Sequence, residues 1–328
     1  MKCRMISMGQ LVLAWLLCAA SALVAQAQPY PSKPIRVIIP FSPGGPMELA
    51  TRPMTTKLAE SIGKPLLLEY KAGASAVIGT DYVAKAPADG YTLVMISSAQ
   101  LSTPATLKSL PYDMVKDFAA ISNVARSGLV LVAGPALKVD TVAELIAYAK
   151  AQNRPMSFGS SGVGGAVHLA SESLFLALSL PSLHVPFKGV GPALQEVIAG
   201  RIDVMFGGVS GVAPFAKTGK LKLLGFGGST RARTLPNVPT IAETSRLLEK
   251  FSVDSSYGIL APLGTPGAII ARLNAEVKIA LATAEVEKAY TALDIEPWWS
   301  TPEQAAAWVK EEIEKWIAVT KAINYQRE

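Results

Sequence analysis

The chain has 328 residues, of which half are hydrophobic and 17% are charged, and its formal net charge is +6 at pH 7. A chain of this length can form two domains, each with a substantial hydrophobic core. The basic excess is small, and no cluster of lysine and arginine with interleaved aromatic residues occurs, which argues against a nucleic-acid-binding protein.

The first 27 residues have the pattern of a signal peptide. Lys2 and Arg4 precede an apolar run at residues 11–24, and small residues at the positions that a signal peptidase reads predict cleavage after Ala27. The run is short for a membrane span, so we expect an exported, periplasmic protein without a membrane anchor. Both cysteines of the chain lie in this segment, which leaves no thiol for a disulfide or a metal.

Strand and helix patterns alternate through the first part of the mature chain. This alternation predicts an α/β fold with a mainly parallel sheet flanked by helices. The predicted strands are residues 35–39, 66–69 and 92–97, and the predicted helices are residues 48–61 and 79–86. A long apolar run at residues 121–132 predicts a strand that crosses into a second domain.

The second part of the chain repeats the alternation. Thr141 and Glu144 have the spacing of a capping box and predict a helix that ends near residue 153. The predicted strands are residues 156–160, 202–206 and 220–227, and the later helices are residues 266–282 and 302–322. We predict a first domain of residues 28–124 and 250–328, and a second domain of residues 125–249.

Two glycine-rich turns each join a predicted strand to a helix. Gly44 and Gly45 form the first, and residues 159–165 form the second. Glycine lets the backbone approach a ligand closely, and the free N–H groups of the following helix favour an anion, although such a sequence can also serve only to make the turn. Because ligands of open parallel sheets lie beyond the carboxyl ends of strands, two facing turns predict a hinged binding protein.

Seven segments spread over the mature chain carry a resemblance to a known family. They are YPSKPIR at 30–36, PFSPGG at 40–45, ADGYTL at 88–93, LPYD at 110–113, HVPFKG at 184–189, DVMF at 203–206 and LPNVPT at 235–240. These segments resemble the Bug family, the extracytoplasmic solute receptors of tripartite tricarboxylate transporters. The resemblance implies the type II periplasmic-binding-protein fold, with two α/β domains joined by two crossing strands.

The same resemblance implies a function. It implies that a small organic carboxylate is held in the cleft and delivered to membrane permease subunits or, in some members, to a signalling partner. The carboxylate is expected to meet main-chain N–H groups and hydroxyls of the two turns. Carried over to this chain, the binding residues are Phe41, Ser42, Pro43, Gly44 and Gly45 on one wall, and Ser160, Ser161, Gly162, Gly164 and His168 on the other.

Five positions near the turns depart from the family pattern. Pro46, Met47 and Glu48 stand where a small hydroxyl pair and an aspartate are usual. Gly165 and Gly207 stand where a serine or threonine and an aspartate are usual. Because several hydrogen-bonding side chains are missing, we expect a roomier, less polar site that takes a bulkier, partly apolar monocarboxylate instead of a simple dicarboxylate.

Some of these residues also have a structural interpretation. His168 fits a cap or core histidine as well as a ligand contact, and Glu48 fits a helix N-terminal carboxylate as well as a partner for an amine. Met47 fits a core anchor as well as an apolar contact. With only two histidines and no paired spacing, we expect no metal site, and no nucleotide-binding motif predicts a cofactor.

An exported serine hydrolase is the rival from another class. Ser61 and Lys64 match S-x-x-K, and residues 217–219 match K-T-G, which occur together in penicillin-interacting enzymes. Both matches are predicted to lie where a helix ends, whereas that chemistry needs the serine at a helix start and K-T-G on a strand. We therefore expect a binding protein and not an enzyme. A ligand sensor for a membrane signalling partner is the alternative to a transport receptor.

Overall fold

A computed structural model describes residues 30–187 and 189–327, apart from the side chain of Ser210. The predicted signal peptide at residues 1–27 lies outside this part of the chain. Within the part described, every helix is too short or too polar to cross a membrane.

Strands and helices alternate along the described chain. The strands are β1 (Ile35–Ile39), β2 (Leu66–Tyr70), β3 (Thr92–Ser97), β4 (Phe118–Ala133), β5 (Met156–Ser160), β6 (Ser182–Pro186), β7 (Val204–Gly208), β8 (Lys222–Phe226), β9 (Asp254–Pro262) and β10 (Glu296–Pro297). The helices are α1 (Pro46–Ile62), α2 (Val77–Ala84), α3 (Thr103–Thr106), α4 (Val142–Ala151), α5 (Ala166–Ala177), α6 (Val190–Ile198), α7 (Val209–Lys217), α8 (Ile241–Thr244), α9 (Gly267–Leu281), α10 (Ala284–Leu293) and α11 (Pro302–Ala322).

The strands form two parallel units on either side of a shared antiparallel centre. Their order is β2-β1-β3-β9-β4-β7-β5-β6, and β8 and β10 also pair with β4. β1 is parallel to β2 and β3, and β5 is parallel to β6 and β7. β9 is antiparallel to both β3 and β4. This is the predicted arrangement of two α/β units joined through long strands.

β4 belongs to both units. Its residues 118–128 pair with β9, and its residues 129–133 pair with β7. Gly128 lies at the change of partner, where a Cβ atom would stand 1.8 Å from the ring of Phe226, so the strand passes this ring only with glycine. The domain boundary that we place after residue 124 stays a prediction, because β4 runs through it without a break.

Helix α11 packs against both units. Trp316 and Val319 are buried in the apolar core of the second unit, which is built around β4, β5 and β7. Val309 and Ile313, further back on the same helix, pack in the core beside β3 and β9. The last helix therefore ties the two parallel units together.

The predicted helix caps are present with one difference. The side chain of Thr301 accepts from the N–H of Gln304, and the side chain of Gln304 accepts from the N–H of Thr301, so the capping box of α11 is confirmed. At α4, Thr141 accepts from the N–H of Glu144, but the Glu144 carboxylate accepts from the N–H of Asp140 instead of Thr141. The start of α4 is as predicted, although its reciprocal bond reaches one residue further back.

Several elements differ from the prediction. Helix α2 starts and ends two residues earlier than predicted, and β7 starts and ends two residues later, so Gly207 lies within β7 and not after it. Helix α10 has no predicted counterpart, since within it only Val286 and Tyr290 are buried and the apolar pattern is weak.

Trp316→Ala tests the role of α11. The indole is 2% exposed, so its removal leaves a cavity, and we expect the free energy of unfolding to fall by about 3–5 kcal/mol in urea denaturation. Ile317→Ala is the matched control, because Ile317 is 39% exposed on the same helix and its loss should change stability by about 0.5 kcal/mol or less. Equal losses for the two variants would contradict the packing role of Trp316.

Candidate functional site

The two glycine-rich turns have the same backbone geometry. Gly44 and Gly164 have φ angles of +81° and +73°, a region that favours glycine. The next residues, Gly45 and Gly165, are extended N-caps with φ angles of −82° and −75°. Neither α1 nor α5 has a side-chain cap in the described residues, so the N–H groups of their first turns face outward without a side-chain acceptor.

One side chain closes each turn from the third position of its helix. The carboxylate of Glu48 accepts from the N–H of Gly44 at 2.7 Å. Nδ1 of His168 accepts from the N–H of Gly164 at 2.9 Å. The turns are therefore equivalent constructions with different acceptors, and both glycine N–H groups are used within the turn.

The surroundings of Glu48 and Met47 favour their structural interpretations. Glu48 forms an ion pair with Arg52, and the Arg52 guanidinium also donates to the hydroxyl of Tyr70 at 2.9 Å. The hydrogen bond from Gly44, followed by Arg52, lowers the pKa of Glu48 to about 2. Met47 is 4% exposed and packs in the core beside β1. Glu48 thus holds the turn, and Met47 anchors α1.

Two histidines stack beneath the second turn. The rings of His168 and His184 have centroids 3.8 Å apart and planes inclined by 17°. Because Nδ1 of His168 accepts a hydrogen bond, its proton lies on Nε2, which is 3.5 Å from the carboxylate of Glu172. Nε2 of His184 lies 2.6 Å from Oγ of Ser160. Burial, followed by the neighbouring His168, lowers the pKa of His184 to about 4.

A cavity of about 220 Å³ lies beyond the carboxyl ends of β1, β3 and β5. Phe41 lines it after β1, six of the residues between 99 and 107 line it after β3, and Val163 with Gly164 and Gly165 lines it after β5. Among the described residues that line it, none carries a charge. An anion in this cavity would therefore be held by backbone N–H groups and the dipole of α5 instead of by a cation.

The structure separates the predicted site residues into groups. Phe41, Gly164 and Gly165 line the cavity. Around the first turn, and outside the cavity lining, are Ser42, Pro43, Gly44, Gly45, Pro46 and Glu48. Around or beneath the second turn are Ser160, Ser161, Gly162 and His168. Met47 lies in the core and Gly207 within β7.

Several lining residues have no place in the sequence-based site. They are Ser75, Ala99, Gln100, Ser102, Thr103, Thr106, Leu107, Val163 and Tyr325. The rule that ligands lie beyond strand ends also points to the segment after β3, so it could have found the lining residues between 99 and 107. No local pattern marks Tyr325.

Tyr325 reaches the cavity from the end of α11. This helix ends in a Schellman motif, with Asn324 at φ +52° and hydrogen bonds from the N–H of Tyr325 to the carbonyl of Thr320 and from Asn324 to Lys321. A Cβ atom on Gly164 would lie 2.9 Å from the Tyr325 hydroxyl oxygen. The tail is thus fixed against the second turn, and glycine at position 164 allows that approach.

The two serine-hydrolase matches lie at helix ends. Ser61 is in the last turn of α1 and donates to the carboxylate of Glu276, and Gly63 ends that helix at φ +71°. Lys217 is the last residue of α7, and Thr218 is its C-cap. Neither match has the placement that a nucleophilic serine needs.

Comparison with known proteins gives consistent matches over most of the chain. A family model described as "Tripartite tricarboxylate transporter family receptor" matches residues 50–325. Protein BugT of Bordetella pertussis is 34% identical over 305 residues, which cover 92% of this chain and 93% of BugT.

Two solved structures are similar over the same extent. An R. palustris protein with adipate has a TM-score of 0.73 and 28% identity, covering 91% of this chain and 100% of that chain. MatC from Rhodopseudomonas palustris with bound malate has a TM-score of 0.68 and 30% identity, covering 88% of this chain and 99% of that chain. The likeness therefore extends over both parallel units.

The lowered pKa of His184 predicts a pH-dependent stability. Since this pKa is about 4 in the folded chain and 6.5 as the reference value, the unfolded chain takes up the proton first as the pH falls. The stability contributed by neutral His184 is thus present above about pH 6.5 and lost toward pH 4. We expect Tm to fall over this window and His184→Gln to reduce the fall. An unchanged fall in the variant would show that other groups control it.

Proposed function

Because the chain belongs to the tripartite tricarboxylate transporter receptor family, we propose that it captures a small organic carboxylate in the cavity beside its two glycine-rich turns. The family consists of solute receptors, so the chain is a binding protein and not an enzyme. The observation that carries the proposal is the uncharged cavity at the N-terminus of α5, where an anion is stabilised without a cationic side chain.

Of the two turns, the second offers the more favourable binding position for the carboxylate of the ligand. At the first turn, the carboxylate of Glu48, paired with Arg52, already lies at the start of α1 and accepts from the N–H of Gly44, so this helix start has its anion. At the second turn, the equivalent acceptor is His168, whose Nδ1 carries no proton in this hydrogen bond. The carboxylate would meet the first-turn N–H groups of α5, because the N–H of Gly164 is already used.

The ligand class follows from the relatives and the cavity lining. Two structural relatives carry adipate and malate, which makes a small carboxylate the class we propose here. Phe41, Leu107 and Val163 supply apolar surface, and no charged side chain among the described lining residues would pair with a second carboxylate. Within the class we therefore propose a bulkier, partly apolar monocarboxylate.

We further propose that the receptor works in the periplasm and delivers its ligand to membrane permease subunits. The description of the matching family as a transporter receptor supports this role. Copurification with membrane proteins in the presence of ligand tests this role. Recovery of permease subunits supports delivery to a transporter. Recovery of a membrane kinase instead would support a signalling role and contradict the transport role.

Thermal-shift measurements on the purified chain test the ligand class. A ligand that binds only the folded chain, at 100 times its Kd, adds about 2.7 kcal/mol to the free energy of unfolding and raises Tm by a few degrees. We expect such a rise with aromatic or branched monocarboxylates and a smaller one with succinate or malate. If no acid raises Tm at millimolar concentration, carboxylate capture is wrong.

Gly165→Val tests the location of the site. Valine adopts the extended backbone of Gly165, and the nearest atom to a Cβ there is 3.7 Å away, so the variant should fold with its side chain in the cavity. We expect the ligand-induced rise in Tm to disappear. Gly191→Val is the matched control, because a Cβ on Gly191 has no heavy atom within 4 Å, and it should keep the rise. A full rise in Gly165→Val would place the ligand elsewhere.

A further inference from the structure

The C-terminal tail forms part of the cavity wall. Tyr325 lies just after α11, whose last residue is Ala322, and it is partly exposed and lines the cavity. Its N–H donates to the carbonyl of Thr320 at 2.9 Å. Thr320 is 5% exposed, and its hydroxyl donates to the carbonyl of Trp316 at 2.8 Å, one turn further back in the helix. The position of Tyr325 is therefore set by the buried part of α11.

The phenol ring of Tyr325 lies against the second glycine-rich turn. A Cβ atom on Gly164 would be 2.9 Å from the hydroxyl oxygen of Tyr325 and 3.7 Å from its Cζ. The ring centroid is 6.4 Å from that of His168, which closes this turn, and the two planes are inclined by 49°. Gly164 and the next residue, Gly165, which is the N-cap of α5, also line the cavity. The ring is thus beside the helix start at which we place the carboxylate.

Two aromatic side chains occur among the described residues that line the cavity. Phe41 follows β1 of the first unit, and Tyr325 follows a helix that is buried in the core of the second unit at Trp316. Both side chains are partly exposed, so each has surface that a ligand can contact. A ligand whose carboxylate binds at α5 extends from there into the cavity. Its organic part then meets Tyr325, because this ring is already in contact range of Gly164.

We propose that Tyr325 is a specificity-determining residue, whose ring packs against the organic part of the bound acid and favours an aromatic group there. Aromatic rings gain edge-to-face or offset-stacked contacts in addition to the burial of apolar area. The inference rests on the proposed function, since it places the carboxylate at α5. It goes further by naming an aromatic monocarboxylate as the preferred ligand and the residue that selects it.

Isothermal titration of the purified chain with matched acids at neutral pH tests this preference. The pairs are benzoate and cyclohexanecarboxylate, phenylacetate and cyclohexylacetate, and phenylpropionate and cyclohexylpropionate. Each pair keeps the carboxylate and the chain length and changes only the aromatic character of the ring. A saturated ring exposes more apolar surface, so a wall that is only apolar binds the saturated acid at least as tightly. For at least one pair we expect the aromatic acid to bind about fivefold more tightly.

Two substitutions and a control assign the preference to Tyr325. Tyr325→Leu keeps an apolar side chain but removes the ring, so the aromatic acid should lose its advantage and the two Kd values should become equal within about twofold. Tyr325→Phe keeps the ring and should keep the wild-type ratio of Kd values. Gln326→Ala changes the next residue of the tail, which is exposed and lies outside the cavity lining, and it should also keep that ratio.

The ratio of Kd values separates a ligand contact from a structural role. If Tyr325→Leu weakens both members of a pair by the same factor, Tyr325 only holds the tail in place and the proposal is wrong. The proposal is also wrong if the wild-type chain has no aromatic preference. A preference that survives in Tyr325→Leu would assign it to another ring, such as that of Phe41, and would overturn the role of Tyr325.

A failure of the inference is distinguishable from a failure of the proposed function. If none of the six acids binds, the aromatic preference is overturned, but a rise in Tm with malate or adipate would leave carboxylate capture standing. If no acid raises Tm, the proposed function itself is wrong.

A measurement on the wild-type chain tests the contact if Tyr325→Leu loses its far-UV circular dichroism spectrum. The tyrosine ring carbons are isotope-labelled for NMR, and the Tyr325 signal is assigned by its absence in Tyr325→Phe. The tightest-binding aromatic acid, at a saturating concentration, should shift this signal more than its saturated partner does, because a bound aromatic ring adds a ring current. An unmoved signal overturns the contact.

Discussion

The arrangement of the molecule depends on one long strand that belongs to both halves of the sheet. β4 pairs with β9 along its first part and with β7 and β8 along its last part. Gly128 lies at the change of partner, where the ring of Phe226 occupies the space that a side chain would need. β1 and β5 lie in the parallel units on opposite sides of this strand, and Phe41 after β1 and residues 163–165 after β5 line one cavity. Helix α11 also packs against both parallel units, and Tyr325, just after this helix, lines the same cavity.

The two glycine-rich turns share one backbone geometry but differ in the charge of the side chain that closes them. Each has a left-handed glycine, a glycine N-cap and an acceptor at the third helical position. The first turn holds the carboxylate of Glu48 paired with Arg52, whereas the second turn holds the imidazole of His168, which adds no carboxylate to the helix start. The helices start alike, so the side chain that closes each turn is the difference on which we base the proposed position of the carboxylate.

The cavity that we propose as the ligand site has no charged side chain among its described lining residues. In this proposal the dipole and N–H groups of α5 suit the carboxylate. Apolar surface from Phe41 and Val163 fills the remaining wall.

Local patterns in the sequence determined the strand-turn-helix units, the caps of α11 and the two glycine turns, because these features depend on residues a few positions apart. The family resemblance added the two-domain receptor. Only the tertiary structure decided that Met47 faces the core, that Glu48 is used by its own turn, and that Gln100 and Tyr325 line the cavity. Those outcomes depend on segments far apart in the chain, which β4 and α11 bring together. Short-range periodicity does not predict such long-range contacts.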